Sequence, residues 1–283
     1  MHIPRRRSPW LRLPLATGLL AIAGLAAVLA GCQHAPRHVH DPNVLWRIVH
    51  DRCVPTARQG HMVKPCVQVS LARGVQDGYV VIKDLRGKSQ YLVLPTARIR
   101  GIESPQLLRP EAPNYLADAW RARTWVEKAL GRRLPRGDVA LAINSVQGRS
   151  QNQLHIHVDC IRGDVRAALD AMLPDIGSTW ARLPRPLAGH PYRAMRVVGP
   201  AAGVRPVRRL ARSLHPGQSM GRQTLVMVGQ RFADGRAGFL LLAGQSNLAR
   251  GNSGSGEELQ DHQCRIADAL PPRPVARAAA AGH

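Results

Sequence analysis

His155 and His157 stand two residues apart in the run "NQLHIHVDC", which spans Asn152 to Cys160, with Gln153 before them and Asp159 after. In a strand, side chains two apart share a face. These four polar groups therefore point one way, about 7 Å from one to the next, while Leu154, Ile156 and Val158 point the other. Four polar residues in a row on one face of a core-like strand cost burial energy unless they are hydrogen-bonded or solvated, which marks the face as one that lines a working cleft. Three chemistries fit the imidazole pair. As metal ligands, the two histidines need a third group, for which Asp159 and His190 are available. As structural histidines, they need buried partners. As catalytic groups, one neutral imidazole attacks a phosphorus while its neighbour contacts the same phosphate.

The surrounding text predicts the elements that hold this strand. "VLWRIVHDRCV" reads as a short amphipathic helix with Leu45, Ile48 and Val49 on one side. "GYVVIKDL" and "SQYLVLP" are β-branched runs around "RGK" and form a hairpin. "YLADAWRARTWVEKAL" is a helix whose Leu116, Trp120, Trp125 and Leu130 are its apolar positions, capped by Asn114 and ended by Gly131. "DVALAINS" pairs with the histidine run around the loop "VQGRSQ", and "GDVRAALDAML" is a helix halted by Pro174. Beyond it, "PYRAMRVVG" is a strand, and the Gly-, Pro- and Arg-rich text that follows is loop with a basic helical turn or two. "TLVMVGQRF" with "GFLLLAGQ" makes a second hairpin, "GNSGSG" is flexible, and "EELQDHQCRIADAL" is a terminal helix carrying Cys264.

Hydrophobic content of 45% over 283 residues supports a buried core and excludes disorder throughout. The net charge of +22 is carried almost wholly by evenly spread arginines without interleaved aromatics, which speaks against a nucleic-acid partner. The first twelve residues are basic, and an uncharged run follows from Leu13 to Gly31, so the chain begins with an export signal or a membrane anchor. "LAGC", Leu29 to Cys32, resembles the bacterial lipobox, in which the Cys is acylated. Removal of residues 1–31 takes away Arg5, Arg6, Arg7 and Arg12, and +22 less those four charges leaves +18. Setting Cys32 aside, Cys53, Cys66, Cys160 and Cys264 are an even number suited to an oxidising compartment, and they permit three disulfide pairings. Cys53 with Cys66 would close a short loop, and Cys160 with Cys264 would then tie the far end of the chain to the histidine segment. A zinc site is the competing reading, but no CxxC spacing supports it.

"NQLHIHV" looks like the signature of the histidine triad superfamily of nucleotide hydrolases and transferases. The blocks "GYVVIKDLRGKSQYLVLPTARIRGIESP", "PNYLADAWRAR", "LAINSVQGRSQNQLHIHVDCIR", "GHPYRAMRV" and "LQDHQC" closely resemble the bacterial CDP-diacylglycerol pyrophosphatases. The similarity runs from Leu45 to Ile266 and includes the four cysteines. It implies hydrolysis of CDP-diacylglycerol to CMP and phosphatidate, with no metal or other cofactor for the step. His155, in the middle triad position, would be the nucleophile that forms a nucleotidyl-histidine, and His157, in the third, would contact the reacting phosphate. Ser150 and Asn144 fall where the superfamily places phosphate-binding groups. Arg98 falls where many relatives carry a His, and a cation there would neutralise phosphate oxygens. Backbone N–H groups of "GRS" could add stabilisation. Asp159 is left to brace a neighbouring Arg.

The first triad position departs from the pattern, being Gln153. If that position acts through its backbone carbonyl, orienting the nucleophile's other ring nitrogen, Gln costs little; if its side chain assists the leaving group, turnover suffers.

The resulting expectation is an α+β enzyme with a histidine triad-like antiparallel sheet and packed helices. Residues 1–31 are signal or anchor, 32–44 tether, 45–182 catalytic domain, 183–270 a smaller C-terminal α+β portion and 271–283 a disordered tail. It is expected to be membrane-attached and periplasm-facing in a Gram-negative-type cell, at the inner rather than the outer membrane. A tether suits a substrate that never leaves the bilayer. A nucleotidyltransferase with the same intermediate, and a non-catalytic lipoprotein that binds metal or phospholipid, are the alternatives.

Overall fold

The computed structural model describes residues 41–268. The leader and anchor run, the lipobox with Cys32, most of the tether and the tail from 271 lie outside them. Among the described residues no helix is long and apolar enough to cross a membrane.

Among the described residues nine strands form one antiparallel sheet in the order β1-β2-β3-β5-β4-β8-β9-β7-β6. They are β1 (Cys66–Ser70), β2 (Tyr79–Lys83), β3 (Tyr91–Pro95), β4 (Val139–Ile143), β5 (Ile156–Cys160), β6 (Ala181–Arg182), β7 (Arg193–Val198), β8 (Gln223–Arg231) and β9 (Ala237–Gln245). Both expected hairpins are present, β2 with β3 and β8 with β9. The portions on either side of residue 182 share this sheet, since β4 pairs with β8 from Ala140↔Val228 to Ile143↔Leu225.

Helices cover both faces. On one lies α3 (Tyr115–Leu130), which packs Leu116, Trp120 and Val126 over Val81, Val93, Leu141, Ile156 and Val158. The side chain of Asn114 accepts from the Ala117 N–H, and Gly131 closes the helix at φ 66°, where a residue without a Cβ avoids the left-handed penalty. The amino-terminal helix begins as α1 (Val44–Arg47), passes through a π-helical stretch (Ile48–Cys53) and ends as α2 (Val54–Arg58). It covers Val80, Ile82, Leu92 and Leu94 on the opposite face. On that same face α4 (Gly163–Met172) covers Ala140, Ala142, Val226 and Leu242. A short basic helix, α5 (Pro206–Ala211), supplies the expected turn or two in the Arg-rich loop.

The register leaves a gap between these two covers. Leu92 and Ala142 both stand opposite His157, so the polar face of β5 lies between the apolar patch under α1–α2 and the one under α4.

Both disulfides pair as the short-loop reading anticipated, Cys53–Cys66 across 13 residues and Cys160–Cys264 across 104. The terminal helix predicted over "EELQDHQCRIADAL" does not form. The segment makes two 3-10 turns, Gly256–Leu259 and Arg265–Ala267, joined by Gln260, which bridges Ile161, and by a turn in which the Cys264 N–H donates to the Asp261 carbonyl. The tether to Cys160 and the pairing with β5's exit outcompete local helix propensity. The "GNSGSG" segment, predicted to be flexible, is bonded in place: Ser145 donates its N–H to the Gly254 carbonyl and its hydroxyl to the Ser253 carbonyl.

Candidate active site

The four polar residues of the histidine run do not line an open cleft. Gln153 and Asp159 are fully buried, and His155 and His157 keep only 8% and 5% of their surface. The burial is tolerable because each side chain finds at least one partner, although Gln153 Oε1 and His157 Nε2 have none. Gln153 donates its side-chain amide to the carbonyls of Pro95 and Ala97, 2.9 Å each, splinting the start of β5 against the end of β3. Its own carbonyl accepts from His155 Nδ1 at 2.7 Å. A carbonyl only accepts, so the His155 proton sits on Nδ1, and Nε2 keeps its lone pair with no hydrogen-bond partner among the described residues. Burial holds the His155 pKa below the ordinary histidine value, so the ring is neutral near pH 7. Gln153 thus meets His155 through its backbone carbonyl, while its side chain is a structural splint.

The two rings lie edge to face, centroids 4.9 Å apart. His157 Nδ1 is 2.9 Å from the Gln90 amide nitrogen and 3.2 Å from a carboxylate oxygen of Glu257. Gln90 is also 3.3 Å from that oxygen and can donate one hydrogen to each, which places the His157 proton on Nε2. That nitrogen is buried without a protein partner and is the donor the site offers to a ligand. Burial pushes the His157 pKa down to about 3, so its contact with Glu257 joins a neutral ring to a carboxylate. For Glu257, burial opposes the charge, but its surroundings, the donating amides of Asn144 and Gln90 among them, outweigh it and hold the carboxyl below its usual range.

Glu257 arrives on the segment that replaces the predicted terminal helix. Asn144, at the end of β4, donates to Glu257 Oε1 at 2.7 Å and accepts from the Gly256 N–H at 2.8 Å. Gln260 donates to the carbonyl of Ala140, the Asp261 N–H to that of Cys160, and the Arg162 N–H to that of Leu259. Two residues before the disulfide, His262 places Nδ1 2.9 Å from Asp159 Oδ2 and Nε2 3.7 Å from Glu257. The Asp159 hydrogen bond raises the His262 pKa. Asp159 also accepts from the Ser89 hydroxyl at 2.7 Å and from the Cys160 N–H, so it braces a histidine and a serine where an arginine was expected.

The remaining predicted residues fall into place unequally. Asn144 belongs to the site, as the holder of Glu257. Arg98 is exposed, with its guanidinium donating to Asn43 Oδ1 and lying over the Trp46 ring, and it touches neither histidine. Ser150 is exposed in a loop strapped to the amino-terminal helix, where Gln151 accepts from the Leu45 N–H and donates to the Asp41 carbonyl. Two of the three "GRS" amides are taken, because Gly148 and Arg149 donate their N–H groups to Ser145. The metal reading loses both proposed third ligands, since Asp159 is engaged as described and His190 is bonded to Glu258 at 2.7 Å. Among the described residues no group of three or more His, Cys, Asp or Glu is arranged to hold a metal ion. Gln90, Glu257 and His262 were missed. The signal for the last two was present in the sequence, because a Cys160–Cys264 bond brings the residues just before Cys264 to the histidine strand.

A buried neutral imidazole with a free Nε2, beside a second ring offering a proton, on an antiparallel α+β scaffold, is equipped for nucleophilic attack and proton donation. The family model for CDP-diacylglycerol pyrophosphatase matches residues 40–268, and the chain belongs to that family. It is a hydrolase that acts on a phosphoric anhydride, and CDP-diacylglycerol is its substrate.

Proposed function

We propose that hydrolysis runs through a covalent nucleotidyl-histidine on His155, in the manner of the histidine triad enzymes that the β5 signature resembles. The lone pair on His155 Nε2 attacks the cytidylyl phosphorus, the bond from that phosphorus to the bridging oxygen breaks, and phosphatidate leaves with the electron pair. Water then displaces the histidine, yielding CMP and returning Nε2 to its neutral state. The observation that carries this reading is the 2.7 Å hydrogen bond from His155 Nδ1 to the Gln153 carbonyl. It fixes the tautomer that can attack, and it stabilises the positive charge the ring acquires. His157 donates from Nε2 to a phosphate oxygen, with the Gln90 amide donating to its other nitrogen. The phosphoryl transition state asks mainly for positioning and charge stabilisation, which these fixed donors supply.

The exported, membrane-attached disposition is part of the same proposal. The basic amino terminus, the apolar run and the lipobox Cys32 support it, as do two disulfides among the other cysteines. The mechanism is tested with His155→Ala, which should lose turnover and the acid-labile label transferred to protein from substrate carrying 32P in the cytidylyl phosphate. Wild-type turnover in that variant sinks it.

A further inference from the structure

We infer that the β2–β3 turn is the surface by which the enzyme docks on an anionic bilayer, with Leu85 entering the acyl boundary and Arg86 and Lys88 meeting lipid phosphates. Leu85 is 100% exposed, against 67% for Leu248, the next most exposed large hydrophobic among the described residues. A lone exposed leucine is ordinary on a protein surface. Three observations set this one apart.

The turn is braced, so its leucine is held in water by construction. Lys83 Nζ donates to the carbonyls of Asp84 and Gly87 at 2.9 and 3.0 Å, and the Asp84 carboxylate accepts from the Arg86 N–H at 3.1 Å. The Lys88 N–H donates to the His262 carbonyl at 3.1 Å, and a Cβ on Gly87 would lie 2.4 Å from that oxygen. The flanking charges also have the right sign and are available. Arg86 is exposed, and its guanidinium has no hydrogen-bond or ion-pair partner among the described residues. Lys88 has only a 4.0 Å approach to Asp268, both side chains being about half exposed or more. Finally, the turn leads directly into the site. Four and five residues after Leu85, Ser89 and Gln90 bond Asp159 and His157. A substrate whose scissile anhydride lies at headgroup level must be met at that level, and an apolar tip flanked by cations is built for the boundary between headgroups and acyl chains. The inference rests on the substrate being a bilayer lipid and is independent of the covalent step.

The test uses the full chain with CDP-diacylglycerol presented in two forms. One is in vesicles of phosphatidylcholine, with or without phosphatidylglycerol; the other is a short-chain analogue below its aggregation concentration. Leu85→Asp, with Leu85→Ser as a second variant, should raise KM on vesicles about ten-fold, the low end for withdrawing a leucine from an apolar phase. The kcat/KM on the monomeric analogue should stay at the wild-type value. Arg86→Gln and Lys88→Gln should each cut the preference for phosphatidylglycerol vesicles about five-fold. Fluorescence of Leu85→Trp should be quenched by brominated acyl chains beyond the wild-type signal, whether or not turnover runs, which separates failure of docking from failure of the chemistry. An unchanged vesicle KM in both Leu85 variants, equal losses on the two substrate forms, or no added quenching overturns the inference.

Discussion

Opening the two disulfides separately distinguishes a bond that only stabilises from one that also assembles the site. In the chain-entropy account, the cost of losing a crosslink grows with the logarithm of the loop it closes. The 13-residue separation of Cys53 and Cys66 corresponds to about 2.9 kcal/mol, and the 104-residue separation of Cys160 and Cys264 to about 4.7 kcal/mol. For a unit of this size these losses lower Tm by about 6–12 °C and 9–19 °C respectively. The contrast in activity should be larger than the contrast in melting. The Cys53–Cys66 bond staples the amino-terminal helix to β1, on the patch formed by Val80 and Leu94, away from the imidazoles. The Cys160–Cys264 bond clasps the segment that carries Glu257 and His262. Its hydrogen bonds to Asn144, Ala140 and Cys160 survive, so the segment loosens without leaving. A displacement of about 1 Å in such a group is worth up to 10²-fold. Cys160→Ser with Cys264→Ser should therefore lose about 10- to 100-fold in kcat/KM, measured well below its melting point on a monomeric substrate. Cys53→Ser with Cys66→Ser should lose less than about 3-fold, since it disturbs no catalytic contact. Equal activity losses in the two double variants would refute this reasoning, as would a lowered Tm without lost activity in the Cys160/Cys264 pair.

Glu257→Gln keeps the shape but removes the charge facing His157; kcat should fall about 10²-fold with KM little changed, and a shift confined to KM would reassign Glu257 to ground-state binding. Gln153→Ala keeps the carbonyl that orients His155 but removes two buried side-chain hydrogen bonds, so stability should drop by about 1–3 kcal/mol while kcat stays within ten-fold. Because burial lowers the pKa of both His155 and His157, the unfolded chain binds protons before the folded one does. Stability should accordingly fall as pH drops below about 6.5, by about 1.4 kcal/mol per pH unit for each ring, until the folded value is reached, about 3 for His157. His262 acts with the opposite sign: its raised pKa contributes stability present below about 6.5 and lost as pH rises through the folded value. The acid limb of kcat/KM should likewise lie below the ordinary histidine range, and a limb at 6.5 in titration of the purified enzyme would contradict a buried nucleophile.

Elements that a local pattern specifies were readable in advance. The period-2 runs around the two hairpins, the Asn114 cap, the Gly131 stop and the alternation of His157 and Asp159 within β5 are each decided by residues adjacent in the chain, whereas Gln153 lies in a bend ahead of the strand. The segment from Gly256 to Cys264 was misread because its conformation is decided elsewhere. Glu257, Gln260 and Asp261 spend their polar groups on Asn144, Ala140 and Cys160, and an isolated reading of "EELQDHQC" offers a helix as the only local use for them. Arg98 was assigned from its place after a Pro, but position fixes only the backbone; the aromatic ring of Trp46 and the amide of Asn43 draw the guanidinium away. Glu257 escaped notice because 100 residues separate it from His157, and the crosslink and the hydrogen bonds to Asn144 that close that distance are not local in sequence.

The order of synthesis gives the clasped segment one more consequence. Glu257 and His262 are among the last described residues to leave the ribosome, long after His155. A nascent or still-reduced chain is therefore a sheet with an unfinished catalyst. Hydrolysis of the lipid begins once this segment has emerged and docked on Asn144 and Ala140, and it quickens when Cys160 and Cys264 are oxidised to the disulfide.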